Sequence, residues 1–170
     1  DDYKSSPEGK TGNIGNAKHS IAKNFMVVTA DQRATISAKR ILEAGGTALD
    51  AAISAQMVLN LVEPQSSGIG GGAFILYYDA KTNNIYAWDG REKAPMSFSE
   101  DIFLNSNGKK KGFIEAVSGG LAVGVPALIP MLEKAHNLHG NMPWNKLFED
   151  AITLSTEGFI VGKRLSKLTS

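Results

Sequence analysis

The stretch VEPQSSGIGGGAFILYYDAKTNNIYAWDGREKAP, residues 62–95, decides how this chain folds. Glu63 stands before Pro64, and proline disfavours the α conformation in the residue preceding it, so a helix ends there. Gly68, Gly70, Gly71 and Gly72 follow, in a turn whose backbone can approach its neighbours more closely than a Cβ permits. From Ala73 to Tyr78 the chain is apolar and aromatic, which predicts a largely buried strand. Lys81-Thr82-Asn83-Asn84 is turn chemistry, and residues 85–88 make the returning strand. Asp89-Gly90-Arg91-Glu92-Lys93-Ala94-Pro95 leaves the sheet as a polar loop. The order is helix, glycine turn, hairpin, arginine loop.

Gly68, Gly70 and Ala73 also satisfy the dinucleotide pattern G-x-G-x-x-G/A, with Asp89 downstream at a suitable distance. That pattern binds phosphate when it follows a strand and opens a helix, whose N-terminus receives the anion. Here a helix precedes the glycines and a strand follows. A structural turn is the better reading.

Upstream, Met26 to Ala30 is a short strand candidate. Asp31 can cap a helix with Ala34, Ala38, Ile41 and Leu42 on one face and Arg33, Ser37, Arg40 and Glu43 largely off it. Gly45-Gly46 ends that helix. Thr47 and Asp50, three residues apart, have the spacing of a capping box for a second helix over 48–62. This second helix is apolar nearly all round, so it belongs in the interior, and its small residues suit packing on a sheet.

Downstream, Phe98, Ile102, Phe103 and Leu104 suggest one short helix, and Asn105-Ser106-Asn107-Gly108 a turn. Lys109-Lys110-Lys111 reads as a solvated loop, since neither arginines nor aromatics extend it. Residues 122–125 form a strand candidate leading to a helix from Pro126 to His139, with Pro130 in its first turn or so. Pro143 starts another helix, closed near Glu157 by Gly158, and a last one begins at Gly162.

Composition narrows the chemistry. At 170 residues and 42% hydrophobic, the chain can build one real core. A net charge of +1 argues against a nucleic-acid partner. No segment reaches the ~20 apolar residues of a membrane span. With no cysteine, there is no disulfide, thiol nucleophile or zinc–thiolate site. Residues 1–24 read as a polar, flexible leader with no apolar signal-peptide region, and 25–170 as the folded part. His136 and His139, three apart near a helix C-terminus, have Glu133 as the one obvious further ligand, too few for a metal site; His19 lies in the leader. Ser66 and Ser67 flank the glycine turn with no base indicated, and cap or line it. Arg91, taken alone, is a loop arginine paired with Asp89 or Glu92.

VEPQSSGIGGGAF followed by DGREKAP resembles the N-terminal part of the large subunit of the γ-glutamyltransferases (glutathione hydrolases). The likeness continues through ILEAGGTALDAAISAQMVLNLVEPQ, GLAVGVPALIPMLEKAHNLHG and PWNKLFEDAITLSTEGF, covering roughly residues 25–164. It implies an α+β fold, part of the four-layer αββα arrangement of N-terminal-nucleophile hydrolases. It also implies that Arg91, in Arg91-Glu92-Lys93-Ala94-Pro95, binds the α-carboxylate of a γ-glutamyl group. A guanidinium fork suits that task because it gives a carboxylate two charge-assisted hydrogen bonds.

The family's reaction is acyl transfer from a γ-glutamyl amide to water or an amino-acid acceptor, by an N-terminal threonine exposed through self-cleavage. No threonine of this chain, from Thr11 to Thr169, stands in the family's Thr-Thr/Ser-His context. The nucleophile is therefore expected beyond Ser170 or on another polypeptide, and this chain alone is expected to be inactive. The implied partners are the rest of the large subunit, the small subunit with its threonine, and glutathione or another γ-glutamyl compound. No cofactor is required, and the implied compartment is periplasmic or secreted. A glutaryl or cephalosporin acylase, a polyglutamate-acting relative and a non-catalytic relative remain as alternatives.

Overall fold

The computed structural model of the protein describes residues 20–169. In chain order it has helices α1 (Gln32–Glu43) and α2 (Ala48–Val62), strands β1 (Ala73–Asp79) and β2 (Asn84–Gly90), and the single turn α3 (Phe113–Val117). Helices α4 (Leu128–His139), α5 (Glu149–Glu157) and α6 (Lys163–Thr169) follow. The expected leader up to residue 19, with His19, lies outside the described residues.

Caps define the first two helices. The Asp31 carboxylate accepts from the Arg33 amide at the start of α1. At its end Gly45, with φ +88°, donates to the Leu42 carbonyl and Gly46 to that of Ile41, the paired bonds of a left-handed glycine cap. Thr47 and Asp50 form the expected capping box of α2, each accepting from the other's backbone N–H. So short a link lays α1 against α2, with Ala34, Ala38, Leu49 and Ile53 buried there. Ser37, expected off the apolar face, is buried too. Its hydroxyl lies 2.7 Å from that of Ser54 across the interface, and the mutual hydrogen bond lets both leave water.

Helix α2 is the centre of the core, as its composition predicts. Its chief neighbours, however, are α1, α4, α5 and a 3₁₀ turn at Trp144–Phe148, rather than the sheet. The hairpin instead packs on α4. Strands β1 and β2 are antiparallel, with Phe74 opposite Asp89 and Tyr77 opposite Tyr86. Ile75, Tyr77 and Trp88 turn toward the core. The other face is open: Phe74, Leu76, Tyr78 and Ile85 are 57–80% exposed. The strand has the two apolar faces of a buried strand, but among the described residues only one is covered.

Several sequence expectations need correction. Residues 26–30 run without a strand partner among the described residues across α1 and α2, where Met26, Val27 and Val28 border an apolar groove. Residues 98–104 form successive turns rather than a helix, because four apolar residues do not repay helix nucleation. Residues 122–125 hold part of a 3₁₀ turn and one bridge, Val125 to Lys93. Helix α4 starts at Leu128, two residues after Pro126, and the helix expected from Pro143 opens as the 3₁₀ turn before becoming α5.

Asp50 ties these parts together. It is fully buried, and its Oδ2 accepts from the Thr47, Asn141 and Met142 amides at 2.8, 2.9 and 3.2 Å. Its Oδ1 lies 3.4 Å from His136 Nε2. One carboxylate thus joins the start of α2 to α4 and the loop behind it. Asp50→Ala leaves three backbone donors without an acceptor and is expected to lower stability by about 3 kcal/mol or more. Chemical denaturation reads this, and a loss below about 1 kcal/mol contradicts the role assigned here.

At the other end of the chain, Arg33 donates to the Ile160 carbonyl at 2.8 Å and lies over the Phe159 ring. Its guanidinium also donates to Asp31 through Nε and Nη2, which holds the Asp31 carboxyl below its ordinary range. A carboxyl with a lowered folded pKa adds stability that is present above its unfolded value, about 3.9, and lost as pH falls through the folded one. Asp31→Asn is therefore expected to flatten the decline of melting temperature below about pH 4.

Candidate functional site

The end of α2, the glycine turn and the arginine loop converge. The Gly71 carbonyl accepts from the Ala127 and Leu128 amides at 3.4 and 3.1 Å, so the turn caps the start of α4. Gly72 lies flat against the exit of β2. A Cβ there would overlap the Gly90 carbonyl oxygen and stand 2.7 Å from Glu92 Oε2 and 2.9 Å from Arg91 Cα. On the far side of the loop, the Val125 amide donates to the Lys93 carbonyl at 2.8 Å. A Cβ on Gly124 would lie 2.9 Å from Glu92 Cβ. The arginine loop is thus clasped from two sides, and Glu92 fills the gap between Gly72 and Gly124.

The clasp forms one wall of a cleft of about 350 Å³, lined by Gln56, Ser67, Gly71, Gly72, Arg91 and Glu92 among others. The Arg91 side chain is 60% exposed, and its Nη1 lies 3.0 Å from Glu92 Oε2. The Asp89 carboxylate accepts instead from the Arg91 amide at 3.0 Å. Both carboxylates expected beside Arg91 are present, one on the side chain and one on the backbone. An exposed ion pair of this kind contributes about 0–1 kcal/mol. A ligand carboxylate that engages the guanidinium with two hydrogen bonds can compete with it.

The histidines do not converge. His136 lies against Asp50, with its Nε2 2.9 Å from the Met142 carbonyl oxygen, whereas His139 packs among Tyr77, Tyr86 and Trp88. Among the described residues no cluster of three or more potential metal ligands occurs. The Ser66 amide donates to the Glu63 carbonyl, and Ser67 lines the cleft, in keeping with a structural role for the pair. The glycine pattern is preceded by a helix and followed by a strand, so it offers no helix N-terminus to a nucleotide.

Sequence reasoning missed the polar cluster of Gln56, Asn60 and Ser67, joined by hydrogen bonds of 2.6–2.7 Å. A signal existed: Gln56 and Asn60 are polar residues at i, i+4 on a largely apolar helix, though Asp50 and Ser54 share that spacing. The cradle around Glu92 was hidden, because Gly124 lies far along the chain from the loop it touches.

The described residues form a two-stranded sheet with helices on one face, fed by a glycine turn, a portion of an α+β fold. The family model described as Gamma-glutamyltranspeptidase matches residues 34–170, and the chain belongs to that family. A glutathione hydrolase proenzyme of Bacillus subtilis (strain 168) is 40% identical over 150 residues, 88% of this chain and 26% of the relative. The gamma-glutamyltranspeptidase of Pseudomonas nitroreducens, solved in complex with L-DON, superposes with a TM-score of 0.80 at 32% identity. That match covers 88% of this chain and 44% of the other. The Helicobacter pylori gamma-glutamyltranspeptidase gives 0.83 at 28% identity, over 89% and 43%. The chain spans about a quarter of the length of the curated relative.

Gly72→Ala forces apart the turn and the Gly90 carbonyl. It is expected to cost about 1–3 kcal/mol by overpacking; chemical denaturation reads this, and unchanged stability would mean that the close approach of turn and loop does not constrain the fold.

Proposed function

We propose that this chain is the N-terminal part of the large subunit of an enzyme that cleaves γ-glutamyl amides, and that Arg91 binds the α-carboxylate of the substrate. The observation that carries the reading is Arg91 itself: the arginine of an R-E-x-A-P loop, solvent-open, in a cleft walled by a glycine turn. Its guanidinium exchanges the single contact to Glu92 for a forked pair of hydrogen bonds to the substrate. That fixes the γ-glutamyl group at one end and leaves its γ-amide free to be presented to a nucleophile.

The nucleophile is an N-terminal threonine on polypeptide outside this chain. Its hydroxyl attacks the γ-carbonyl while its own α-amine takes the proton. The substrate's amine leaves with that proton, and water or an amino-acid or peptide acceptor resolves the acyl-enzyme. Glutathione is a substrate of the right class. The word proenzyme in the name of the Bacillus relative supports maturation by cleavage into two subunits. The rest of the large subunit and the small subunit are the partners, and a periplasmic or secreted location fits the same reading. No helix among the described residues is long and apolar enough to cross a membrane.

Two measurements test this. Arg91→Ala in the complete enzyme is expected to lower kcat/KM for a γ-glutamyl anilide on the order of 100-fold. Arg91→Lys should recover little, because an ammonium lacks the fork. A change below about threefold removes Arg91 from the site. The intact mass of the mature protein should reveal a second polypeptide that begins at threonine; one uncleaved chain argues for an inactive relative.

A further inference from the structure

The Gln56–Asn60–Ser67 cluster has no part in that reaction as written. Gln56 Nε2 donates to Asn60 Oδ1 at 2.7 Å and to Ser67 Oγ at 2.6 Å. Ser67 Oγ donates in turn to Asn60 Oδ1 at 2.6 Å. Two donors meeting on one oxygen fix the orientation of the Asn60 amide, since the reverse would set donor against donor. The remaining Asn60 atom, Nδ2, is buried without a hydrogen-bond partner among the described residues. An unmade buried donor is unfavourable, so stability alone does not account for an asparagine here.

Its position does. Gln56 and Ser67 line the Arg91 cleft, while Asn60 borders a separate apolar groove with Met57, Trp144 and Phe148. Ser67 is the last side chain before the glycine turn. Beyond it, Gly68 and Gly70 have open space where a Cβ would lie, and Ile69 is 63% exposed. The second half of the turn is held by the Gly71 carbonyl on α4; the first half has Ser67 as its side-chain anchor. We propose that Asn60 is a positioning residue for the Arg91 cleft: together with Gln56 it holds Ser67, and through Ser67 it sets the glycine wall against which a carboxylate on Arg91 is aligned. This rests on the γ-glutamyl reading above.

The test uses the mature full-length enzyme with γ-glutamyl-p-nitroanilide, comparing Asn60→Leu, Ser67→Ala and the double variant. Each single change is expected to raise KM about tenfold, equivalent to about 1.4 kcal/mol, with kcat within about threefold. The double variant should be no worse than the worse single one, because both remove the same link. Asn60→Asp keeps both acceptor contacts and should hold KM within about threefold of the parent. Asn60→Ser, too short to reach Ser67, replaces Asn60→Leu if that variant does not fold. A purely structural asparagine would lower the melting temperature and leave the KM of the folded enzyme unchanged. Unchanged KM, or effects of Asn60 and Ser67 that add, overturns the proposal. A parent enzyme inactive on the anilide overturns the γ-glutamyl reading instead, whereas an active parent indifferent to Asn60 overturns only this inference.

Discussion

A single carboxylate kept from water sets the frame of this structure. Asp50 caps α2, holds the amides that follow α4 and faces His136. Burying such a group is costly unless hydrogen bonds hold it; three backbone amides do so on Oδ2, while Oδ1 makes no hydrogen bond among the described residues, and α2 and the residues after α4 are fixed relative to each other at this point. The opposite end of α2 then has little freedom in where it releases the chain, and it releases it into the glycine turn. The turn meets α4 again through the Gly71 carbonyl. The two helices are therefore joined at both ends, once by a side chain and once by backbone, and the cleft lies at the second junction.

The backbone at that junction is packed more closely than side chains allow. Gly72 and Gly90 touch across the base of the hairpin, and Gly90 also lies directly under Met131 of α4. Glu92 occupies the space left between Gly72 and Gly124, where it partly neutralises Arg91. The Arg91 guanidinium is thus oriented by the Glu92 carboxylate, 3.0 Å from its Nη1.

Local chemistry made much of this legible in the sequence. Asp31, Gly45, Thr47 and Asp50 fixed the limits of two helices, because capping depends on neighbours a few residues away. The helix–glycine–hairpin order and the Arg91 loop could be read for the same reason. Ser37 was misjudged because its partner, Ser54, belongs to another helix, and the second function of Asp50 depends on residues about ninety positions later. The apparent strands at 26–30 and 122–125 have β-like composition, but a strand needs a partner, and pairing is not a local property. The open face of β1 escaped notice similarly: an apolar run states what a strand tolerates on both sides, not what lies there.

That open face bears on how copies of this chain meet. Among the described residues the hairpin is a two-stranded sheet with no further strand on either edge, and it shows Phe74, Leu76, Tyr78 and Ile85 to solvent. Unpaired edges beside wet apolar side chains are a template on which further strands add, including those of identical chains. Wherever that face stays uncovered, the hairpin is the segment at which identical chains adhere.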